Sequence, residues 1–462
     1  MQLTVRDKAT GERIGSVAVA RRDDVARAVD RAAQAFPGWS QIPVVERTRR
    51  LFRYADALER YREELALSVS RENGKTLDDA RAEVRRGIEA VEFACGMPSL
   101  MMGDALPDVA RGIDSISLRY PLGVCAGITP FNFPAMIPLW MFPLAIAAGN
   151  TFVLKPSPQT PLTSEMLCEV ARGCDFPAGV LNLVHGEAAT VEALIDDPRV
   201  AAISFVGSSG VARAVQERAL RAHKRVQALG GAKNYVIVMP DAANDATCSA
   251  VIGAAFGGAG QRCLAGSVLV AVGSAGDVLA PMLIDAAAKL RLGRGADSAT
   301  EMGPVVSAEA LARIRGYVER ARAAGAEMLL GGGEIPNEGT FAAPIIFDRV
   351  DPESELARDE IFGPVLAIVR TESLDEAIAI ANRSRYGNAS SIFTRDGGAA
   401  RAFASRIEVG MVGINVGIAA PMAFFPFGGV KDSIFGDLRC HGKDAVVFYT
   451  QQRVVVSRWP PS

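Results

Sequence analysis

The sequence has few of the residues that build metal centres or disulfide frameworks. Its 462 residues include only three histidines and seven cysteines. His185, His223 and His441 are scattered, and none lies at ligand spacing from a cysteine or another histidine. The cysteines form no CxxC pair, and their odd number, in a chain whose amino terminus shows no export signal, favours reduced thiols. We therefore expect no bound metal and a cytoplasmic location.

The sequence also lacks an excess of one charge and a long apolar run. Its 50 basic and 52 acidic residues nearly cancel, so no field favours nucleic acid. The most apolar window, residues 133–149, contains three prolines and is shorter than the ~20 residues of a membrane span. The apolar fraction of 49% excludes low-complexity disorder. A globular protein of about two to four domains, bound to neither nucleic acid nor membrane, is predicted.

Apolar spacing predicts helices in the first hundred residues and a parallel sheet after them. Helices are expected over 23–36, 45–70 and 78–95, the second ending at Asn73–Gly74. From residue 122 short apolar runs alternate with helix-length segments, which indicates parallel strands covered on both faces, as in dinucleotide-binding folds. The predicted strands are 122–128, 151–154, 180–184, 201–206 and 235–239, and a further strand is expected in the tail from Val446. The predicted helices, which follow the first four strands in turn, are 135–148, 162–172, 188–196 and 209–222.

Two segments carry side chains suited to covalent catalysis. Cys263 follows a glycine-rich turn and stands next to Arg262, an arrangement that favours a reactive thiolate, although a buried inert cysteine is the alternative. Asn132, within Pro-Phe-Asn-Phe-Pro, is suited to donate an N–H to an oxyanion, or else to cap the following helix.

Two further segments are suited to hold a nucleotide, and a third by itself indicates no more than a loop. Phe-Val-Gly-Ser-Ser-Gly, with Gly207 and Ser208, follows a predicted strand and opens a helix, so it is either a diphosphate site or an ordinary turn. Lys155 and Ser157 follow another strand at the edge where such sheets bind ligands. Residues 360–365 add a carboxylate and an aromatic ring beside a turn.

Together these segments resemble the aldehyde dehydrogenase superfamily over essentially the whole chain. PFNFP, KPS, FVGS, LGGAKN, GQRC and EIFGPV occur in the order and spacing of that family. The segments ENGKT (72–76), KRVQALGGAKN (224–234) and APMAFFPFGG (420–429) are similar to its CoA-acylating methylmalonate- and malonate-semialdehyde dehydrogenase branch. The resemblance implies an α/β fold with a Rossmann-type, parallel-sheet NAD-binding domain (1–100 and 122–231) and an α/β catalytic domain (232–422). The resemblance also implies a small β oligomerisation element (101–121 and 439–462), and with it a homodimer or homotetramer.

The resemblance also implies a role for each candidate residue. Cys263 attacks the aldehyde and becomes a thioester, the Asn132 amide and the Cys263 backbone N–H hold the oxyanion, and Arg86 and Arg262 bind a substrate carboxylate. Arg85 is the alternative to Arg86. The implied cofactor contacts are Phe131, Lys155, Ser157, Gly207, Ser208, Leu229, Glu360 and Phe362.

One position predicts how the thioester is released. Hydrolytic members have Glu-Leu-Gly-Gly, whereas this chain has Ala228 in place of the glutamate. Losing a general base typically slows a step ~10²–10⁴-fold, so transfer to coenzyme A is expected unless another carboxylate substitutes. NAD is the expected cofactor, with NADP left open by Pro158.

The expected function is NAD-dependent, CoA-acylating oxidation of malonate or methylmalonate semialdehyde, with CO2 release, to acetyl-CoA or propionyl-CoA. The alternatives are a hydrolytic NAD(P)-dependent aldehyde dehydrogenase that produces a carboxylic acid, and a catalytically silent NAD-binding protein.

Overall fold

Two largely parallel sheets, each covered by helices, carry most of the chain in the computed structural model, which describes residues 2–333 and 335–459. The elements up to the first of these sheets are β1 (Gln2–Arg6), β2 (Arg13–Ala18), α1 (Arg22–Gln41), α2 (Val44–Arg60), α3 (Arg62–Asn73), α4 (Leu77–Cys95), α5 (Met97–Leu100), β3 (Ala105–Ala110) and β4 (Ile113–Pro121).

The first sheet and its helices follow in strict alternation. They are β5 (Val124–Ile128), α6 (Met136–Ala147), β6 (Thr151–Lys155), α7 (Leu162–Arg172), β7 (Leu181–Leu183), α8 (Ala188–Asp196), β8 (Val200–Val206), α9 (Ser209–Arg221) and β9 (Arg225–Leu229).

The rest of the chain forms the second sheet and its helices, two short strands that pair with each other, one strand that joins the first sheet, and the carboxyl-terminal strand. In order these are β10 (Asn234–Val238), the 3-10 helix η1 (Pro240–Ala242), α10 (Asp245–Phe256), the 3-10 turn η2 (Gly257–Gly260), β11 (Gly266–Val272), α11 (Ala275–Ala288), α12 (Ala308–Ala323), β12 (Glu327–Leu330), β13 (Ile345–Asp348), α13 (Glu355–Arg358), β14 (Val365–Thr371), α14 (Leu374–Arg383), β15 (Tyr386–Gly387), β16 (Ala389–Phe393), α15 (Gly397–Arg406), β17 (Met411–Ile414), β18 (Val430–Lys431), β19 (Ile434–Phe435), α16 (Gly442–Phe448) and β20 (Thr450–Arg458).

The first sheet has the strand order β19-β9-β8-β5-β6-β7, with all pairs parallel except β19 against β9. The chain order of its strands reverses between β5 and β8, and such a switch point at the carboxyl ends of the strands is where open α/β sheets bind ligands. The second sheet has the order β12-β13-β14-β11-β10-β16-β17 and is parallel except for β12. Strands β20, β4 and β3 form a separate antiparallel sheet.

The predicted alternation of strands and helices is confirmed, because strands buried on both faces leave a continuous apolar signal in the sequence. All five residues of β5, β6 and β10 are buried. The apolar window at 133–149 contains the 12-residue helix α6, which lies in the core. Among the described residues, no helix is both long and apolar enough to cross a membrane.

Two sequence predictions about the helices and the tail were wrong. The helix expected over 45–70 is two helices, α2 and α3, with a bend at Tyr61 (φ −94°, ψ 14°). The bend does not alter the apolar period, because Leu51, Leu58 and Leu65 remain fully buried on both sides of it. The strand expected from Val446 begins at Thr450, because the preceding residues form α16 and bury their apolar side chains there.

Candidate active site

Two cavities meet at Cys263. The enclosed pocket, about 170 Å³ in volume, lies between α4, α6 and the loop 418–427. The strand-end cleft, about 570 Å³, lies at the carboxyl ends of β5 and β8 and extends to the segment before β14. Cys263 lines both cavities, so a group bound in either one reaches the same sulfur.

The main chain of Cys263 is held by an asparagine of β10 and by one that directly precedes β16. The Nδ2 atoms of Asn234 and Asn388 each donate a hydrogen bond of 2.9 Å to the Cys263 carbonyl oxygen. The turn before Cys263 has positive φ at Gly258 and Ala259. Six of the seven cysteines are buried, whereas Cys263 is partly exposed. It is therefore the cysteine that a substrate can reach.

The charges around Cys263 oppose one another. Desolvation, followed by the nearby Glu360 carboxylate, raises the pKa of the Cys263 thiol to about 12. The Arg262 and Lys75 cations lower this pKa. The thiol form is therefore favoured at neutral pH, and the two positive charges act against this by stabilising the thiolate.

Asn132 lies in the loop between β5 and α6 and is buried. Its Nδ2 donates a hydrogen bond of 3.0 Å to the carbonyl oxygen of Gln261, two residues before Cys263. The N-cap of α6 is Ala135, so the capping alternative for Asn132 is wrong. An amide nitrogen has two N–H donors, and the second one is left to bind an oxygen in the strand-end cleft, which Asn132 lines.

Arg86 and Arg262 both line the enclosed pocket. Arg86 Nη1 contacts Glu89 Oε2 at 3.5 Å and Met422 Sδ at 2.8 Å, while Nε and Nη2 of Arg86 make no hydrogen bond within the described residues. The Arg262 Nη2 donates to the carbonyl oxygens of Gly253 and Ala254, and its buried Nε has no hydrogen-bond partner among the described residues. The two guanidinium groups thus offer free donors beside the thiol.

The side chain of Arg85, the residue before Arg86 on α4, contacts acidic residues of α2 and α4. It forms ion pairs of 3.0 Å with Glu59, 3.1 Å with Glu92 and 3.6 Å with Glu89, and it does not line the enclosed pocket. Of the two neighbouring arginines, Arg86 is the one placed beside Cys263.

Most of the residues predicted to hold a nucleotide line the strand-end cleft. These are Phe131, Ser157, Gly207, Ser208, Glu360 and Phe362. Lys155 and Leu229 are buried behind the lining residues, and burial lowers the pKa of Lys155 to about 8. The rings of Phe131 and Phe362 meet edge to face with centroids 5.7 Å apart.

The cleft is open because glycines line it. A Cβ atom on Gly231 would lie 2.4 Å from Glu360 Oε2, and one on Gly230 would lie 2.6 Å from Ser209 Oγ. Glu360 Oε1 accepts a hydrogen bond of 2.9 Å from the Ala232 backbone, and burial raises the pKa of Glu360 to about 7. A carboxylate and backbone N–H groups at a switch point fit the ribose and diphosphate of a dinucleotide.

Comparison with known proteins places the chain in a family. The sequence profile of the aldehyde dehydrogenase family matches residues 1–455. The chain belongs to the aldehyde dehydrogenase family. It is 49% identical, over 458 residues that cover 98% of this chain and 95% of the relative, to malonate-semialdehyde dehydrogenase 1 of Geobacillus thermodenitrificans.

Solved structures of aldehyde dehydrogenases match the whole fold. A methylmalonate-semialdehyde dehydrogenase from Oceanimonas doudoroffii superimposes with a TM-score of 0.98 at 44% identity, covering 100% of this chain and 96% of that one. A Sinorhizobium meliloti protein provisionally given the same name, solved with NAD, has a TM-score of 0.98 at 43% identity, covering 100% and 95%. The family and the branch that the sequence motifs predict are thereby confirmed.

Position 228 of this aldehyde dehydrogenase is an alanine enclosed by aromatic residues. Ala228 is fully buried on β9, where Phe205 of β8 and Phe435 of β19 are its neighbours in the sheet. Carboxylates do line the two cavities, on α4 and before β14; these are Asp79, Glu83, Glu89, Asp359 and Glu360. In the part of the chain that the structure describes, no group of three or more acidic, histidine or cysteine residues could hold a metal ion.

Sequence reasoning missed several residues that shape the site. Asn234 is the last residue of the LGGAKN segment, which indicated a family resemblance but no role for this asparagine. Asn388 lies in a segment without a recognisable motif. Lys75 and Glu83 form a buried ion pair on the wall of the enclosed pocket. Lys75 belongs to the ENGKT segment, which was used only as a mark of resemblance. Nothing in the local sequence indicates that these side chains lie in the site that contains Cys263.

Proposed function

We propose that this aldehyde dehydrogenase oxidises malonate or methylmalonate semialdehyde with NAD and transfers the shortened acyl group to coenzyme A. The observation that carries the proposal is the place of Cys263, between a small pocket with two arginines and a cleft suited to a dinucleotide. The names of the relatives agree with this substrate class and, in one case, with NAD.

Cys263 and Asn132 carry the oxidation. The Cys263 thiolate forms a C–S bond to the aldehyde carbon, and the carbonyl electron pair moves to the oxygen, which the Asn132 amide and the Cys263 backbone N–H hold as an oxyanion. A bound nicotinamide would supply the acceptor for the hydride. As the oxyanion re-forms a carbonyl, the acyl group remains on Cys263 as a thioester.

Arg86 and Arg262 orient the substrate through its carboxylate, which accepts their N–H groups. In the malonyl-type thioester the carboxylate carbon is released as CO2, and its bonding electrons pass into the thioester enolate, which then takes up a proton. Coenzyme A attacks the resulting acetyl or propionyl thioester, and Cys263 leaves as a thiolate. A pocket of about 170 Å³ fits an acyl group of this size.

The domain partition and the assembly belong to the same proposal. The predicted NAD-binding domain contains all strands of the first sheet except β19, the predicted catalytic domain contains the whole second sheet, and the predicted oligomerisation element contains β3, β4 and β20. Residues 1, 334 and 460–462 of these units lie outside the described residues. Exposed apolar side chains on the small sheet, which include Leu106, Val454 and Val456, support a homodimer or homotetramer, as an uncovered edge favours association. Reduced cysteines support a cytoplasmic location.

Replacing Arg86 by methionine tests the recognition of the substrate carboxylate. Losing charge-assisted hydrogen bonds is expected to raise the KM for malonate semialdehyde about 10- to 100-fold. Arg85→Met is the matched control, since Arg85 is the neighbouring arginine on α4 and does not line the pocket. Steady-state kinetics with the semialdehyde and with uncharged propionaldehyde measure the effect. Equal KM increases for both aldehydes, or in both variants, contradict the assignment.

The pH dependence of NAD binding tests Glu360. Burial raises the pKa of Glu360 to about 7. The carboxylate proposed to accept hydrogen bonds from the ribose hydroxyls is therefore ionised above that pH and protonated below it. NAD affinity, measured by calorimetry, is therefore expected to fall about three- to tenfold as the pH falls from about 8 to about 6. In Glu360→Gln this dependence should disappear. An equally steep dependence in that variant assigns the titration to another group.

Product analysis tests the function as a whole. With malonate semialdehyde, NAD and coenzyme A, equal amounts of NADH, acetyl-CoA and CO2 are expected. Malonyl-CoA without CO2 contradicts the decarboxylation, and a free carboxylic acid supports the hydrolytic alternative. Repeating the assay with NADP in place of NAD resolves the choice that Pro158 leaves open.

A further inference from the structure

A buried ion pair lies on the wall of the enclosed pocket, outside the roles proposed above. The side chains of Lys75 and Glu83 are 4% and 0% exposed, and Lys75 Nζ contacts Glu83 Oε2. The same Nζ lies 3.8 Å from the centroid of the Phe133 ring. Buried ion pairs cost desolvation and add little net stability, so a pair retained beside a reactive thiol invites a functional explanation.

Glu83 holds the end of the loop that carries Asn132. Its Oε1 accepts hydrogen bonds from the backbone N–H groups of Ala135, at 2.8 Å, and Met136, at 3.2 Å. At the other end of the loop, Asn73 Nδ2 donates a hydrogen bond of 3.0 Å to the Phe131 carbonyl oxygen. The loop 130–134 is thus fixed on both sides of Asn132 by side chains from α4 and the end of α3.

Lys75 places a positive charge in the pocket that Cys263 shares. Unlike Arg262, whose guanidinium donates to carbonyl oxygens at the end of α10, Lys75 is held by the carboxylate of Glu83. Its charge, with that of Arg262, lowers the pKa of Cys263 against burial and Glu360. The other charged or titratable groups that face the pocket are Asp79, Arg86, Glu89 and His441.

We propose that the Lys75–Glu83 pair positions both halves of the reaction centre: Glu83 fixes the loop that presents Asn132, and Lys75 supplies positive charge that stabilises the Cys263 thiolate. The inference rests on the proposed role of Cys263 as the nucleophile.

Alkylation of Cys263 by iodoacetamide, without semialdehyde, NAD or coenzyme A, tests the electrostatic role. The rate is followed by mass spectrometry of the Cys263 peptide between about pH 6 and about pH 10. In Lys75→Met the rate at about pH 8 is expected to fall about five- to tenfold, and a given rate is expected to be reached only at a higher pH, because a cation near the thiolate is lost. Lys75→Arg, which keeps the charge, is expected to restore most of the rate.

The partner residue and a control lysine separate a charge effect from general damage. Glu83→Gln leaves the Lys75 ammonium in place and keeps an acceptor for the loop, so the alkylation rate is expected not to fall. Lys8→Met removes a partly buried lysine that donates to Gln159, away from the pocket, and is expected to leave the rate unchanged. If Lys75→Met does not fold, Lys75→Gln replaces it, and the same fall in the alkylation rate is expected.

Two results overturn the inference. One is an unchanged alkylation profile in folded Lys75→Met, and the other is an equal fall in Lys75→Met and Glu83→Gln. Failure of the proposed function gives different results from failure of this inference. In that case Cys263 of the unsubstituted chain is not alkylated, or it is alkylated normally but the protein does not turn over the semialdehyde.

Discussion

Replacing Cys263 by serine is expected to reduce NADH formation from semialdehyde at least about 10³-fold, because a serine hydroxyl is far less acidic than a thiol and cannot form the thioester. The substitution removes no large side chain, and the hydrogen bonds that Asn234 and Asn388 donate go to the main chain of this residue. The fold and the cleft should therefore be unaffected.

Three measurements check this expectation. Steady-state NADH formation gives the loss of rate, calorimetry gives the NAD affinity, and thermal unfolding gives the stability. The affinity and the unfolding midpoint should match those of the unsubstituted chain. If Cys263→Ser retains full turnover, the covalent mechanism is wrong. If the unsubstituted chain binds NAD but turns over no aldehyde, the catalytically silent alternative gains support.

Leaving out coenzyme A is expected to stop turnover after the first oxidation. About one NADH per active site should form in a burst, and the following steady rate should be ~10²–10⁴-fold lower than with coenzyme A, the typical cost of a missing general base. The reason is Ala228, a buried methyl group between Phe205 and Phe435, which cannot activate water. Rapid-mixing absorbance of NADH measures both phases.

Equal steady rates with and without coenzyme A would indicate a hydrolytic enzyme. The base would then be another carboxylate, and Asp359 and Glu360 line the same cleft as Cys263. Asp359→Asn is a variant that tests this outcome without touching the proposed ribose contact. A matching burst in Cys263→Ser would show that the early NADH does not come from thioester formation.

The sequence alone was enough to predict the fold family and the segments of the site. Strands such as β5 and β6 are apolar on both faces, and the glycine-rich turns beside them have characteristic local sequences. The order of these elements can therefore be predicted from the sequence. The bend at Tyr61 escaped prediction because α2 and α3 keep one apolar period across it.

Side-chain orientation was decided by the tertiary structure. Neighbouring arginines look alike in sequence, but packing of α4 turns Arg85 to Glu59 and Glu92 and leaves Arg86 in the enclosed pocket. Asn132 could have been a cap or an amide donor until the Gln261 carbonyl was placed beside it.

What the sequence determined by itself is the order of strands, turns and reactive residues, because each depends on a few neighbouring positions. What only the tertiary structure decided is which distant groups surround Cys263. Asn388, which holds the Cys263 carbonyl, is 125 residues away along the chain, and Glu83 reaches a loop 52 residues further on. Such contacts depend on how separate helices and sheets pack together, and no local pattern records that packing.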